Sequence, residues 1–267
     1  MIVYAGLIPH SPLLLPSIGK RHTKKLRATQ KSLQEMSDHI QELHIDVCVL
    51  WSPHYESQEA EANSFVISQS QKFAGNLKEF GDLEACVQQD GSVGIVHQWK
   101  ESLHLKFPIH LANVDELDYA STLAMLTVPA LAKGSLIPWG SNAMSRDQHV
   151  QFGLETQNFL ESIPERVAVI VSGNLSHRLT RKAPGGFSLA GKTYDTMLIK
   201  FLRQWDIEAI RNMDDELIGE AGECGHNGLL WELGVLHGKK FSQQILSYES
   251  PFGVGYACIE FLLGSFS

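Results

Sequence analysis

The chain has 267 residues, of which 43% are hydrophobic and 19% charged, so it can bury a large core and is not an intrinsically disordered chain. Its 22 Lys and Arg against 30 Asp and Glu give a formal charge of -8, which disfavours binding to nucleic acid or to an anionic membrane. No apolar run reaches the roughly 18 to 20 residues of a membrane span. The four cysteines form no CxxC pair and the N-terminus lacks a signal-peptide pattern, so we expect a cytoplasmic protein.

The first part of the chain predicts a strand, a helix and a second strand. Ile2 to Leu7 is short, apolar and β-prone, and it ends at Pro9. From near Thr23 to Leu43, apolar residues recur at spacings of three, four and seven, which places them on one face of a helix. A second apolar run extends from Ile45 to Trp51. This order indicates a βαβ unit, so we expect the two strands to be parallel and neighbouring.

The rest of the chain continues as short strands and helices. The pattern predicts strands over 63–68, 94–97, 134–139 and 166–172, with two more over 243–262 around a turn at 251–253. It predicts helices over 123–131, 147–163, 192–217 and 229–236, with a glycine-rich break at 222–225. No linker, repeat or low-complexity tract interrupts the chain. We therefore predict one α/β domain over residues 1–267, with a central, mostly parallel or mixed β-sheet flanked by helices.

Three predicted strands are each followed by a histidine. His10 follows the first strand, His54 the second, and His177 the strand at 166–172. Ligands of open α/β sheets bind at the carboxyl ends of the strands, and prolines beside His10 and His54 restrict the backbone there. Any one such histidine is more often a hydrogen-bonded loop residue than a ligand. Three at one edge suggest a metal site or an acid/base site.

A metal held by two histidines needs a further, anionic ligand, and the segment 219–228 offers candidates. Two histidines and one carboxylate form the open site of non-haem Fe(II) oxygenases. Glu220, Glu223 and Cys224 are all chemically able to complete such a site, although a thiolate suits zinc or copper better. The competing interpretation is an ordinary glycine-rich helix junction with solvated glutamates.

The ordered set of motifs resembles the class III extradiol dioxygenase superfamily. This group is typified by the catalytic subunit of protocatechuate 4,5-dioxygenase, and Memo proteins are relatives with the same fold. The resemblance covers nearly the whole chain. Its matching pieces are PHSP at 9–12, SPH at 52–54, FAGNLKEFG at 73–81, LDY at 117–119, LIP at 136–138, RVAVIVSGNLSH at 166–177 and AGECG at 221–225.

The resemblance implies a metal site and a reaction. In that family two histidines and a glutamate bind Fe(II), which places the ligands at His10, His54 and Glu223, with Zn, Mn or Cu as alternative metals. A further histidine acts as acid/base and matches His177. The implied activity is ring opening of a catechol-like or aminophenol-like aromatic with O2, as in aromatic catabolism. Such proteins are often homodimers or paired with a second subunit, and we expect one of these here.

Two departures from the family pattern define the alternatives. The family reads Asp-His-Gly where this chain has Asp118, Tyr119 and Ala120, so Tyr119 takes the place of a catalytic histidine although tyrosine does not ordinarily titrate near neutral pH. In Memo-type relatives a cysteine replaces the glutamate ligand, a role open to Cys224. We favour Glu223, which points to the enzyme. A Cys224 ligand would point to a Memo-like metal- or peptide-binding protein without dioxygenase activity.

A third hypothesis is a metal-independent hydrolase that uses a cysteine nucleophile. Cys224 and His177 could supply such a pair. Nothing in their spacing favours it over the metal site.

Overall fold

The computed structural model of the protein describes residues 1–57 and 60–263. Its strands are β1 Ile2–Ile8, β2 Val47–Trp51, β3 Ser64–Ser68, β4 Lys72–Leu77, β5 Asp82–Asp90, β6 Ile109–Ala112, β7 Ser135–Asn142, β8 Val167–Ser172, β9 Ser242–Glu249 and β10 Tyr256–Leu262. Its helices are α1 Pro16–Gly19, α2 Arg27–Leu43, α3 Val93–Leu103, α4 Tyr119–Thr127, α5 Arg146–Ser162, α6 Leu189–Gln204, α7 Ile207–Arg211, α8 Asp215–Ala221 and α9 His226–Val235.

Eight of the strands form one mixed sheet in the order β6-β3-β7-β2-β8-β1-β10-β9. The central strands β7, β2, β8 and β1 are parallel, whereas β10 and β9 add antiparallel strands beyond β1. Strands β1, β2 and β8 are buried along their whole length, as expected for parallel strands covered on both faces. The predicted α/β architecture with a mixed central sheet is confirmed.

Helices cover both faces of this sheet. One hydrophobic cluster joins one face to α3, α5, α6 and α9, and a second cluster joins the other face to α2 and α4. Because side chains alternate along a strand, Val49 lies in the first cluster and Leu50 in the second. None of the described helices combines the length and apolar character needed to cross a bilayer.

The prediction that β1 and β2 are neighbours is wrong. They are parallel, but β8 lies between them and pairs with both, so that Val167 is in register with Ile2 on one side and with Val47 on the other. The reason is that β1 and β2 are interior strands that need partners on both sides, and the continuously apolar β8 supplies one for each.

Three other regions differ from the predicted elements. Residues 94–97 were predicted as a strand but belong to α3, whose buried residues Ile95, Val96, Trp99 and Leu103 follow helical spacing. The β4–β5 hairpin, which forms a separate two-stranded sheet, was not predicted. The predicted helix at 192–217 is divided among α6, α7 and α8, and the first break follows Trp205, which adopts a left-handed conformation at the end of α6.

Candidate metal centre

Loops at the carboxyl edge of the sheet bring together two histidines and a cysteine. His10 follows β1, His54 follows β2, and Cys224 lies in the turn between α8 and α9. One ligand atom from each residue lies within 4.8 Å of the others. The distance from Cys224 Sγ to His10 Nε2 is 3.5 Å. Two of the three predicted metal ligands are therefore in one group, together with the cysteine that was the alternative third ligand.

Hydrogen bonds hold His10 in one orientation. Its Nδ1 lies 3.2 Å from the hydroxyl of Ser172, and its backbone N–H donates to Asn174 Oδ1 at 3.1 Å. The Ser172 hydroxyl donates to the carbonyl of Ala120 at 3.3 Å, so it accepts from a protonated Nδ1 of His10. Burial lowers the pKa of His10 well below its usual value. The neutral ring therefore presents the lone pair of Nε2 towards Cys224.

His54 lies on the opposite side of the group, next to Tyr119. The backbone N–H of His54 donates to the hydroxyl of Ser52 at 3.2 Å, and Ser52 in turn donates to Asp118 at 2.9 Å. The hydroxyl of Tyr119 lies 2.8 Å from His54 Nε2. Burial lowers the pKa of His54, an effect that the nearby Asp118 carboxylate partly offsets.

Close backbone packing allows Cys224 to reach the histidines. A Cβ on Gly173 would lie 2.6 Å from the Cα of Gly225, so the end of β8 and the turn before α9 approach closely only because both residues are glycine. The backbone N–H of Asn174 donates to Cys224 Sγ at 3.4 Å. Burial raises the pKa of the Cys224 thiol to about 12, and a bound divalent cation would deprotonate it.

The grouped ligand atoms do not include the carboxylate of Glu223, our preferred third ligand. Its carboxylate accepts a hydrogen bond of 2.5 Å from the backbone N–H of His226 at the start of α9. That position is favourable for an acidic side chain because the first N–H groups of a helix are unpaired. Burial raises the pKa of Glu223 to about 7. Glu220, the other alternative, is exposed and its carboxylate lies 3.4 Å from the hydroxyl of Ser188.

His177 borders this group, as predicted. Its Nε2 lies 4.0 Å from Cys224 Sγ and 3.4 Å from the side-chain amide of Asn174. Its Nδ1 lies 2.6 Å from the carbonyl of Gly222, which can only accept, so Nδ1 carries the proton and Nε2 is the basic nitrogen. Burial lowers the pKa of His177, so the ring is neutral at neutral pH.

The spacing of His10 and Cys224 suits two ligands on one metal ion. Nitrogen and sulfur ligands bound at about 2.0 and 2.3 Å in a tetrahedral arrangement lie about 3.5 Å apart, which is the observed separation of His10 Nε2 and Cys224 Sγ. The hydrogen bond from His10 to Ser172 is the kind of support that orients a ligating histidine. The sequence motifs contained Ser172 and Asn174, but only the structure assigns them this supporting role.

A cavity of about 460 Å³ adjoins the group. Its lining includes His54, Tyr119 and the glutamates Glu56, Glu79 and Glu116. A small molecule in this cavity would contact both His54 and Tyr119.

Comparison with known proteins agrees with this architecture. Protein CA_C1420 of Clostridium acetobutylicum is 26% identical over 265 residues, which cover 95% of this chain and 56% of that relative, so the chain spans little more than half its length. The crystal structure of uncharacterized protein JW3007 from Escherichia coli K12 has the same fold, with a TM-score of 0.65 at 14% identity over 97% of this chain and 99% of that one. The family model described as the catalytic LigB subunit of aromatic ring-opening dioxygenase matches residues 4–259. The chain therefore belongs to this LigB family.

Proposed function

We propose that the protein is a metal-dependent dioxygenase that opens the ring of a catechol-like or aminophenol-like aromatic with O2. The observation that carries the proposal is the convergence of His10, His54 and Cys224, which have ligand atoms within 4.8 Å of one another at the carboxyl edge of the sheet. Membership of the LigB family supports the reaction class. The proposed metal is Fe(II), and zinc, manganese or copper are the alternatives.

The protein's own groups would hold the metal and handle protons. When bound, the metal supplies a Lewis acid and a redox centre for a chelating aromatic and O2. His10 and His54 are neutral and can ligate without losing a proton, whereas Cys224 must lose one. Nε2 of His177 is the basic nitrogen beside the group, and its contact with the side-chain amide of Asn174 is long at 3.4 Å, so it can accept a proton from a substrate hydroxyl and return it later.

Tyr119 cannot replace the family histidine as a base. Burial raises the pKa of its phenol, and the negative charge of a Cys224 thiolate would raise that pKa further. The neutral hydroxyl can only donate or accept hydrogen bonds at neutral pH. We therefore assign proton transfer to His177 and substrate positioning to Tyr119.

The second candidate function is a Memo-like metal-binding or peptide-binding protein without dioxygenase activity. Two observations favour it. The third member of the ligand group is Cys224 instead of a carboxylate, and Tyr119 is hydrogen-bonded to His54. A homodimer, a second subunit and a cytoplasmic location stay predictions under either candidate.

Oxygen consumption distinguishes the two candidates. The protein would be loaded with Fe(II) without air and then mixed with air and a panel of catechols and 2-aminophenol. We expect oxygen uptake matched by a yellow ring-opened product. His177→Ala should retain the metal but lose activity by at least about 100-fold, since general acid/base groups contribute this much, and the exposed His104→Ala is the control. Metal retention without oxygen uptake by the wild type would refute the dioxygenase and favour the second candidate.

A further inference from the structure

The hydroxyl of Tyr119 contacts a ring nitrogen of His54, one of the three residues of the ligand group. It is 2.8 Å from His54 Nε2, and the two rings lie 4.7 Å apart with planes tilted by 35°. The Tyr119 ring also lies 5.6 Å from the ring of His10. The Tyr119 side chain therefore lies beside both histidines of the ligand group.

The fold holds this pair together before any metal binds. Asp118 caps α4 by accepting from the backbone N–H groups of Ala120 and Ser121 at 2.9 and 3.0 Å, which places Tyr119 at the first position of the helix. The same carboxylate accepts from Ser52, whose hydroxyl accepts from the backbone of His54. One linked set of hydrogen bonds thus fixes the start of α4 relative to the His54 loop. Little further conformational entropy is lost when the hydroxyl meets the imidazole.

The hydrogen bond and a metal compete for one lone pair. The phenol of Tyr119 carries its proton at neutral pH, where tyrosine does not ordinarily titrate, so its O–H is available as a donor 2.8 Å from His54 Nε2. A phenol is a better hydrogen-bond donor than a neutral imidazole, so the O–H of Tyr119 donates to the Nε2 lone pair. A metal ion that binds His54 through Nε2 requires the same lone pair of the neutral imidazole. His54 cannot satisfy both partners through one nitrogen.

We propose that the hydroxyl of Tyr119 competes with the metal ion for Nε2 of His54. A metal ion must displace this hydroxyl before the site is complete. This inference rests on the metal centre of the proposed function. It identifies Tyr119 as a residue that weakens metal affinity and slows loading. The family has a histidine where this chain has Tyr119. The effect of this difference on metal binding does not depend on which reaction the centre performs.

The test measures metal binding to Tyr119→Phe without any assay of activity. Zn(II) affinity would be measured by competition with a chromophoric chelator, and Co(II) loading would be followed by its thiolate charge-transfer absorption. Tyr119→Phe should bind Zn(II) about two- to tenfold more tightly, as expected for the loss of one competing hydrogen bond, and should load Co(II) faster. Tyr55→Phe is the control, because it removes one hydroxyl from another tyrosine among the residues that line the same cavity.

Two outcomes would overturn the proposal, and they are distinguishable. Equal or weaker Zn(II) binding by a folded Tyr119→Phe, with normal binding by the wild type, would show that the hydroxyl supports the metal or is irrelevant to it. If the wild type and both variants bind neither Zn(II) nor Co(II), the metal centre itself is refuted. Thermal unfolding of each variant checks that it is folded.

Discussion

At the scale of single residues, the properties of the centre depend on what contacts each histidine ring. Ser172 contacts Nδ1 of His10 and Gly222 contacts Nδ1 of His177, so in both rings Nε2 is the basic nitrogen, and it lies 3.5 and 4.0 Å from Cys224 Sγ. In His54 the hydroxyl of Tyr119 contacts Nε2 itself. The three histidines follow equivalent strand ends, yet their partners give them different chemistry.

The support of His10 by Ser172 yields a prediction on metal affinity. Ser172 is fully buried, and Ser172→Ala removes the acceptor of the Nδ1 proton while keeping nearly the same volume. Because such outer partners orient ligating histidines, we expect metal affinity to fall by about 10- to 100-fold. Chelator competition with Zn(II) measures the change, and Ser162→Ala on the exposed part of α5 is the control. Unchanged affinity in Ser172→Ala would contradict the assigned role.

At the scale of elements, the centre depends on how closely α9 packs against the end of β2. A Cβ on Gly228 would lie 2.2 Å from the ring of Trp51. Trp51 is the last residue of β2 and precedes the His54 loop, whereas α9 begins directly after the Cys224 turn. The absence of a side chain at position 228 therefore brings the two ligand-bearing loops together.

This packing predicts opposite effects for two glycine substitutions. Gly228→Ala should lower the free energy of unfolding by about 1–3 kcal/mol, because the added methyl overpacks against Trp51. Gly219→Ala lies on an exposed part of α8 with no atom within 4 Å of the added Cβ, and it should leave stability unchanged or raise it by up to about 1 kcal/mol. Urea unfolding of both variants provides the comparison. Equal effects would show that the Trp51 contact can relax without cost.

The same elements show what the sequence could predict. The interior strands β1, β2 and β8 were recognisable because burial on both faces makes them continuously apolar, and the histidines after them were therefore placed at one edge. The insertion of β8 between β1 and β2 was not predictable, because pairing depends on contacts distant in sequence.

The backbone conformation of the turn after α8 decides whether Glu223 or Cys224 faces the histidines. The spacing of apolar residues in the sequence does not predict this conformation. Gly222 adopts a left-handed conformation at the end of α8, and α9 begins four residues later. This turn directs the Glu223 carboxylate to the helix N-terminus and the Cys224 thiol to the histidines. Both side chains were chemically able to ligate, so only the geometry separates them.

At the scale of the whole molecule, one buried carboxylate affects how stability varies with pH. Glu232 on α9 is fully buried, and burial raises its pKa well above the usual value. Its pKa is therefore higher in the folded than in the unfolded chain, where glutamate titrates near about 4.3. The stability linked to this group is fully present below the unfolded pKa and is lost as pH rises towards the folded pKa.

Glu232→Gln tests this dependence, because glutamine has a similar shape and no charge to bury. We expect the substitution to raise Tm more at pH 8 than at pH 5, since the wild type loses stability over that interval and the variant does not. Thermal unfolding at the two pH values measures the difference, with the exposed Glu216→Gln as the control. A Tm difference that does not vary with pH would contradict the assignment.

The central claim is that His10, His54 and Cys224 form the metal centre. The most direct measurement is the metal content per chain after anaerobic loading with Fe(II) and removal of free metal. The account predicts about one ion per chain in the wild type and in Glu223→Gln, with marked loss in His10→Ala, His54→Ala and Cys224→Ala. Retention of iron by Cys224→Ala together with its loss from Glu223→Gln would contradict it.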